Sequence, residues 1–572
     1  MDYTIRIGGE AGQGVQTVGD SLARVFARCG YHVFVHQEYE SRIRGGHNFF
    51  QVRFSDRPVT ASRSTIDILI ALDRQSISED GAQLAGSGII VYDSSMLKEK
   101  YEGARFLDVP FVQLATEGGG STIMANTVAT GAVLGMLGID SGIFGEVIAN
   151  LLAKKGEQII EENRRAAGRG YEFAARNCGQ CAFSVTPVSK PNMLIDSTSA
   201  LGIGAIASGC KFYTAYPMTP TTGILTLMAS KAEQYGIVVE QAEDEIAAIN
   251  MALGASFAGV RSMTASAGGG FALMVEGLSL AAITETPIVI VVGGRPGPAT
   301  GLPTRTEQAD LLFVLHAAHG EFPRIIFAPG SAEQAFFLVN KAFDLSQKYQ
   351  VPAFILTDQY LADTQWTYEG FALESMAYTD YRLRGDAFKE AFPYKRHAFT
   401  ETGVSTFGVP GDSTNLVVTD SDEHDEEGHI TEDARLRRMM VEKRLFKKMP
   451  LIAGEIAPPL QYGHARPEVV LIGWGSTYGI LRGVVDALSP DLPIAMLHFS
   501  EIYPFPKADG SGWFDLLKGA GRTICVEQNA TSQFAGLLKT ETGFVCTSVI
   551  NKYDGRPFLM ETLLEELRGH LE

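Results

Sequence analysis

The feature that most constrains the fold is a repeated succession of short apolar runs, glycine- or proline-rich turns and helix-like stretches. Runs of this kind are IDILIAL, TPIVIVVGG and PEVVLIGWGS. Short apolar runs that alternate with helical patterns are typical of α/β folds with a mostly parallel sheet. We therefore predict an α/β protein of several domains, because 572 residues exceed what one hydrophobic core holds.

The pattern divides the chain into three α/β units and two connecting segments. The first unit covers 1–182 and is followed by a proline-containing linker at 183–194. A second α/β unit covers 195–365, and a polar, irregular connector occupies 366–464. The third unit covers 465–572 and again runs from strand through glycine turn to helix.

Composition and charge argue against several classes of protein. A net charge of −18 provides no attraction for phosphate, which argues against nucleic-acid binding. The chain lacks the long apolar run of a membrane helix, and its start, MDYTIRIGGEAGQG, lacks the features of a secretory signal. The 6 cysteines are too scattered for a disulfide framework. We expect a cytoplasmic protein without membrane contact.

A polar turn at 216–222, YPMTPTT, follows a strand and precedes an apolar helix. Its two prolines lack backbone N–H groups, so hydroxyls and the remaining N–H groups supply the polarity. At the carboxyl end of a parallel strand, such a turn is suited to hold a carboxylate. An ordinary turn with threonine caps is the alternative.

An acidic junction at 241–245, QAEDE, leads into a helix with little side-chain bulk. Acidic residues here could simply complement the helix dipole. A carboxylic acid held beside an apolar wall could instead donate a proton. Close packing of a second helix or subunit is favoured by the small residues Ala247, Ala248, Ala252, Gly254, Ala255 and Gly259.

A third segment, 295–310, directly follows the apolar run TPIVIVVGG and reads RPGPATGLPTRTEQAD. Loops after core strands carry many catalytic residues in α/β folds. Arg295 is suited to bidentate binding of a carboxylate, although a surface arginine on a turn is the alternative.

Together these segments resemble the pyrimidine-binding domain of 2-oxoacid:ferredoxin oxidoreductases, where the first motif is usually Tyr-Pro-Ile-Thr-Pro-Ser-Thr. The stretches GGEAGQG, ESRIRGGHNFFQVRFSD and MANTVATGAVLG resemble the family's gamma module, and TDSDEHDEEGHITED and NKYDGRPF resemble its alpha subunit. The order is that of a fused gamma–alpha subunit. The resemblance implies a gamma-type α/β module, a thiamine-enzyme pyrimidine-binding domain and a transketolase C-terminal-like domain.

The resemblance also implies roles for individual residues. Thr219 and Arg295 correspond to the residues that bind the substrate carboxylate, and Tyr216 and Thr304 to further residues of the substrate pocket.

Thiamine enzymes also use a glutamate that hydrogen-bonds to the aminopyrimidine ring and so promotes deprotonation of the thiazolium C2. We assign this role to Glu245, because Glu-Ile-Ala-Ala resembles the Glu-x-x-Ala opening of that helix, and keep Glu243 in reserve.

Several parts of such an enzyme are missing from the sequence. No Gly-Asp-Gly motif for diphosphate and Mg²⁺ is present, and the only closely spaced cysteines are Cys178 and Cys181, a pair that is more often structural than a cluster site. We predict no metal site in this chain. The resemblance implies a beta subunit that completes the thiamine diphosphate–Mg²⁺ site and carries a [4Fe-4S] cluster, in an (αβ)₂ complex that reduces ferredoxin.

The glycine turn of the first unit has the wrong spacing for a dinucleotide fingerprint, but such a turn can still hold an anion. The resemblance suggests coenzyme A contacts at Gly12 and Gly14, with Arg42 and Arg44 near a phosphate.

The acidic run at 420–433 has Asp425 at its sixth position, where a calcium-binding loop needs glycine, so we interpret it as part of a connector or docking arm.

The resemblance favours 2-oxoglutarate as substrate, with succinyl-CoA and CO2 as products; the reverse reaction would fix CO2, as in a reductive tricarboxylic acid cycle. Pyruvate or a broad range of 2-oxoacids is the alternative. Two other interpretations are a non-catalytic scaffold and a non-oxidative thiamine decarboxylase or transketolase-like subunit.

Overall fold

The computed structural model describes residues 1–41, 45–117, 120–179, 181, 183–185, 190, 192–376 and 378–571. These residues fall into two compact units. The first comprises Met1–Ile195, Asp363–Phe371 and Leu559–Glu565, and the second comprises Asp196–Ala362, Ala372–Phe558 and Glu566–Glu572.

The first unit contains one sheet with helices packed against it. Its strands are β1 (Asp2–Ala11), β2 (His32–Glu38), β3 (Gly45–Ser55), β4 (Ile66–Ala71), β5 (Leu84–Tyr92), β6 (Phe106–Asp108), β7 (Met193–Asp196) and β14 (Gln365–Tyr368). Its helices are α1 (Val15–Arg28), α2 (Arg74–Asp80), α3 (Ser94–Leu97), α4 (Phe111–Thr116), α5 (Ala125–Leu137), α6 (Ser141–Leu151) and α7 (Glu157–Asn177).

The strand order of this sheet is β6-β5-β4-β1-β3-β2-β14-β7. Strand β1 pairs in parallel with β4 and antiparallel with β3, so the sheet is mixed. Helices α5 and α7 pack at backbone contact, because a Cβ at Gly131 or Gly170 would overlap a carbonyl oxygen of the facing helix. The glycines that the sequence offers in this stretch therefore set the helix spacing.

Strand β14 lies where the sequence predicted the start of an irregular connector. It pairs antiparallel with β2, and buried Trp366 stands opposite Phe34. A four-residue strand of this kind depends on its partner, which lies more than 300 residues earlier, so local sequence does not reveal it.

Cys178 and Cys181 form a disulfide, and the other four cysteines are free thiols.

The second unit contains two larger sheets. The first of these has strands β8 (Phe212–Ala215), β9 (Val238–Gln241), β10 (Ser262–Ala267), β11 (Ile288–Gly294), β12 (Ile325–Phe327), β13 (Pro352–Asp358) and β20 (Glu501–Tyr503). Its helices are α8 (Ser197–Ala207), α9 (Thr222–Tyr235), α10 (Glu245–Phe257), α11 (Gly268–Phe271), α12 (Val275–Ile283), α13 (Leu311–His316), α14 (Ala332–Tyr349) and α15 (Gln359–Asp363).

The order of this sheet is β20-β12-β13-β11-β10-β8-β9, and all neighbours except β20 and β12 run parallel. Strand β8 lies between β9 and β10, so the chain adds β9 on one side of β8 and then crosses over to add β10 on the other side. The carboxyl ends of the parallel strands share one edge, and the point where strand order reverses is the usual ligand site of such sheets.

The remaining elements of the second unit form the connector and a five-stranded sheet in the order β17-β19-β18-β21-β22. The connector contains β15 (Arg382–Leu383), α16 (Gly385–Glu390), β16 (Phe407–Gly408), α17 (Ala434–Val441) and α18 (Lys448–Ala453). The rest of the chain forms β17 (Leu460–Gly463), β18 (Val469–Trp474), α19 (Tyr478–Leu488), β19 (Ile494–Phe499), α20 (Gly512–Gly519), β21 (Arg522–Glu527), α21 (Gln533–Thr542), β22 (Ser548–Asn551) and α22 (Met560–Leu571).

One hydrophobic core joins the two larger sheets of the second unit, with Ile290 and Phe354 in the same cluster as Leu497 and Phe534. Within the described ranges, no helix combines the length and apolar character needed to cross a membrane.

Candidate active site

The residues predicted from the three motifs converge on the carboxyl edge of the parallel sheet. The turn at 216–222 follows β8, the acidic junction follows β9, and Arg295 directly follows β11. Because β8, β9 and β11 all belong to one sheet and point the same way, segments far apart in the chain share one edge.

Glu245 is the first residue of α10 and is only 3% exposed. Its Oε1 accepts a 3.1 Å hydrogen bond from Ser266 Oγ, at the carboxyl end of β10. The preceding residue, Asp244, caps the helix by accepting a 2.7 Å hydrogen bond from the Ala247 N–H. The cap is thus provided by a neighbour, and the Glu245 carboxyl is left for another role.

A glycine lies directly against this carboxyl. A Cβ at Gly270 would overlap both Glu245 Oε1 and Ser266 Oγ. The run Ala-Ser-Ala-Gly-Gly-Gly, which ends at Gly270, therefore allows the backbone of α11 to approach the buried acid without a side chain between them.

Thr219 and Arg295 are in direct contact. Arg295 Nη1 donates a 3.0 Å hydrogen bond to the Thr219 carbonyl oxygen. Within the part of the chain that the structure describes, the Arg295 guanidinium forms no ion pair, and burial lowers its pKa while Asp310 raises it. A partly buried guanidinium with unused N–H donors is suited to bind a carboxylate.

The turn that carries Thr219 is itself fixed. Thr221 donates from its N–H and from Oγ1 to the Met218 carbonyl oxygen, at 2.9 and 3.0 Å. Met218 Sδ lies 3.6 Å from Ser266 Oγ, so the turn reaches the same serine as Glu245 does.

The loop from Arg295 to Asp310 is anchored on the five-stranded sheet. Gln308 Nε2 donates to the Trp474 carbonyl oxygen at 2.9 Å, and its backbone N–H donates to the Gln528 carbonyl oxygen at 2.6 Å. The Thr306 N–H donates to the Gly555 carbonyl oxygen, which lies in the stretch NKYDGRPF. The third sequence unit thus holds the loop that carries Arg295.

The remaining predicted residues of this site, Glu243, Tyr216 and Thr304, are more exposed than Glu245. Glu243 is exposed and Tyr216 is 39% exposed. Thr304 is half-buried, and its hydroxyl has no hydrogen-bond partner among the described residues. Glu245 is therefore the buried one of the two candidate glutamates.

Sequence reasoning missed Ser266, Gly270 and Asp310. The signal that could have found the first two is the glycine run at a strand-to-helix turn. Asp310 lay inside a recognised motif but was not singled out; burial raises its pKa to about 6, against the lowering effect of Arg295.

In the first unit, the glycine turn borders a cleft of about 410 Å³. Gly12 and Gly14 adopt positive φ angles of 93° and 88°, and a Cβ at Gly14 would overlap Asn126 at the start of α5. The lining includes the acids Glu10, Glu38 and Glu40. The predicted residues Arg42 and Arg44 lie outside the described residues.

Two family models match the chain. The one described as pyruvate flavodoxin/ferredoxin oxidoreductase, thiamine diphosphate-binding, matches 203–443, and the one described as pyruvate ferredoxin/flavodoxin oxidoreductase matches 4–173.

Curated relatives cover nearly the whole chain. The chain is 32% identical to the 2-oxoacid:ferredoxin oxidoreductase subunit alpha of Sulfolobus sp, over 98% of this chain and 96% of the relative. It is 27% identical to the 2-oxoglutarate oxidoreductase subunit KorA of Mycobacterium tuberculosis, over 100% and 92%. Among solved structures, the 2-oxoglutarate:ferredoxin oxidoreductase from Magnetococcus marinus, with 2-oxoglutarate, coenzyme A and succinyl-CoA bound, matches with a TM-score of 0.91, 29% identity and 100% coverage of both chains.

Proposed function

Because the chain belongs to the family of 2-oxoacid:ferredoxin oxidoreductase alpha subunits, we propose that it serves the oxidative decarboxylation of 2-oxoglutarate with coenzyme A. The products are succinyl-CoA, CO2 and reduced ferredoxin, and the reverse reaction fixes CO2 in the manner of a reductive tricarboxylic acid cycle. The ligands named for the Magnetococcus marinus structure support this substrate. Pyruvate or a broader range of 2-oxoacids is the second candidate, because the Sulfolobus relative is named for 2-oxoacids in general.

The observation that carries the proposal is the meeting of a buried acid and a carboxylate-binding arginine at one sheet edge. Glu245 and Thr219 are linked through Ser266 and Met218, and Thr219 is linked to Arg295. A scaffold that only retained the fold would have no need for a buried glutamate whose side chain, among the described residues, hydrogen-bonds to Ser266 alone.

Thiamine diphosphate is the cofactor that the family implies, and the residues at this edge suit its aminopyrimidine ring. Glu245 is buried, and Gly270 leaves the space beside its carboxyl free of a side chain. When bound, thiamine diphosphate supplies a nucleophilic carbon for attack on the 2-oxo group. Glu245 would hydrogen-bond through its carboxyl group to the aminopyrimidine ring, and Ser266 would orient that carboxyl.

The substrate carboxylate binds to Arg295, with the Thr219 hydroxyl as a second partner. Tyr216 and Thr304 border the same pocket in this proposal. The hydrogen bond from Arg295 to the Thr219 carbonyl oxygen keeps the two carboxylate-binding groups in register.

A second subunit completes the site. The described face of α10 exposes Ile246 and Met251, at 48% and 42%, between small residues, and Leu273 nearby is 49% exposed. Apolar residues clustered beside an active site mark a protein interface. We assign this face to a beta subunit that brings the diphosphate and Mg²⁺ site and a [4Fe-4S] cluster, in an (αβ)₂ complex that passes electrons to ferredoxin. The cytoplasmic location stays a prediction.

Coenzyme A is assigned to the cleft at Gly12 and Gly14. The acids Glu10, Glu38 and Glu40 would repel its phosphates, so the assignment depends on positive charge from Arg42 and Arg44. Arg42→Ala and Arg44→Ala should each weaken coenzyme A binding; unchanged affinity in both variants would remove the assignment.

The test of the proposed function is turnover by the complex of this chain with its beta subunit. Viologen reduction with coenzyme A and 2-oxoglutarate should be faster than with pyruvate. Faster turnover of pyruvate would transfer the assignment to the second candidate, and no turnover of either acid would favour the scaffold reading. Carbon–carbon transfer without an electron acceptor would favour the transketolase-like reading.

A further inference from the structure

Asp310 lies at the end of the loop that begins with Arg295, and its carboxyl group has no structural task. It occupies the cap position of α13, but its side chain does not accept a hydrogen bond from that helix. Throughout the described ranges, no donor of the chain hydrogen-bonds to this carboxyl. A half-buried acid at a candidate site, with a perturbed pKa and no hydrogen bond from the described chain, points to a functional role.

The Asp310 carboxyl lies against the same glycine run as Glu245. A Cβ at Gly268 would overlap Asp310 Oδ2, and a Cβ at Gly270 would overlap Glu245 Oε1. The two carboxyl groups therefore contact glycines that lie two residues apart in the same turn. This arrangement places Asp310 at the same site as Glu245.

The charged groups that face Asp310 come from every element around it. Arg295 is the cation that acts on it, from the end of β11. Asp310 in turn raises the pKa of Glu307 on its own loop, and Asp358 from β13 lines the same small cavity, together with Gly294 and Ser476. Burial raises the pKa of all three acids, and that of Asp310 to about 6. The site thus holds one guanidinium near several desolvated acids.

A substrate carboxylate bound to Arg295 would be a second negative charge close to Asp310. Two carboxylates in one desolvated site repel each other, and the repulsion is relieved when one of them binds a proton. The substrate is the stronger acid, so the proton belongs on Asp310.

Resting on the proposed role of Arg295, we propose that Asp310 is a positioning residue that takes up a proton from solvent when the 2-oxoacid carboxylate binds to Arg295. In the neutral form it no longer adds a negative charge near the guanidinium, and its O–H can donate a hydrogen bond. Substrate binding by this chain is therefore coupled to uptake of one proton.

The test is the KM for 2-oxoglutarate and for pyruvate, measured from pH 5.5 to 8.5 with the complex of this chain and its beta subunit. Above about pH 6 the native KM should rise by up to about tenfold per pH unit, because Asp310 must first be protonated. Asp310→Asn should flatten this rise and give a lower KM than the native chain at pH 8. The kcat should change less than the KM.

Two variants separate this role from a structural one. Asp310→Glu keeps a titratable carboxyl and should restore the pH slope, and Glu307→Gln, the neighbouring acid, should retain it. The proposal fails if Asp310→Asn has the native slope, or if Glu307→Gln flattens it. Arg295→Gln separates the proposed proton uptake by Asp310 from the proposed substrate binding by Arg295. If Arg295→Gln raises the KM while Asp310→Asn keeps the native pH slope, only the proton uptake is wrong. If Arg295→Gln leaves the KM unchanged, both proposals are wrong.

Discussion

Ser266 Oγ donates a 3.1 Å hydrogen bond to Glu245 Oε1, which joins the carboxyl end of β10 to the first turn of α10. The two residues are 21 positions apart in sequence and meet because β9 and β10 run parallel in one sheet and end at the same edge. This pair is the centre of the proposed site.

Ser266→Ala should reduce kcat by about tenfold, because the loss of one hydrogen bond to a buried acid costs about 1–2 kcal/mol and frees the Glu245 carboxyl to rotate. The matched control is Ser262→Ala at the other end of β10, where Oγ donates to the Ala252 carbonyl oxygen at 2.7 Å. The control should lose stability but keep kcat. Equal effects of the two variants on kcat would remove the special role of Ser266.

Arg295→Ala should cost about 2–5 kcal/mol of substrate binding, because it leaves the substrate carboxylate without its cation. Steady-state kinetics with the 2-oxoacid varied should show this mainly as a raised KM. Arg295→Lys keeps the positive charge but loses the planar guanidinium, so its KM should lie between those of the native chain and Arg295→Ala. A KM that hardly moves in Arg295→Ala would show that the carboxylate binds elsewhere.

Glu285 is fully buried among cations of the connector, and Glu285→Gln should destabilise the second unit by about 3–5 kcal/mol. Its carboxylate forms ion pairs with Lys443 and Lys448 and lies 3.1 Å from His397 Nδ1. Removing it leaves buried cations without a counter-charge. The measurement is the midpoint of urea unfolding.

The control for this prediction is Glu455→Gln, which removes a half-exposed carboxylate paired with Lys348. Ion pairs of that kind contribute about 0–1 kcal/mol. If Glu285→Gln is no more destabilising than the control, the buried cluster does not stabilise the connector.

Stability should fall as the pH decreases from 6.5, because buried histidines stay neutral in the folded chain. Burial lowers the pKa of His498 to about 4, and it lowers that of His397 well below its usual range. The unfolded chain binds these protons first, so the contribution of His498, about 3 kcal/mol, is present above pH 6.5 and is lost as the pH falls towards 4.

Urea unfolding between pH 7 and pH 5 checks this sign. His498→Asn should be less stable at pH 7 but should show a weaker loss on acidification. His47 acts in the opposite sense, because the Asp80 carboxylate, 3.3 Å from its Nε2, raises its pKa. Stability that is constant or rises between pH 7 and pH 5 would contradict the prediction.

Local pattern sufficed for the strands and turns that carry the site, since β8, β9 and β11 each end at a recognisable motif. The choice of Glu245 over Glu243 rested on the resemblance of Glu-Ile-Ala-Ala to related helices, and the structure buries the residue so chosen. The glycine run marks a turn beside Ser266, but the contact of Ser266 with Glu245 could not be predicted, because strand order is a tertiary property.

The same limit applies to the boundaries of the units. Gln365–Tyr368 joins the sheet of the first unit although it follows the second α/β unit in sequence. The anchoring of Gln308 on Trp474 likewise depends on how two sheets pack, which no periodicity reports.

The most direct measurement is hydrogen–deuterium exchange at C2 of thiamine diphosphate bound to the complex of this chain and its beta subunit, compared between the native chain and Glu245→Ala. The account predicts that exchange is fast in the native complex and falls by several orders of magnitude in Glu245→Ala. The Glu245→Ala chain should still assemble with the beta subunit, and Glu243→Ala should exchange at the native rate. Fast exchange in Glu245→Ala, with loss in Glu243→Ala, would contradict it and move the proton-handling role to Glu243.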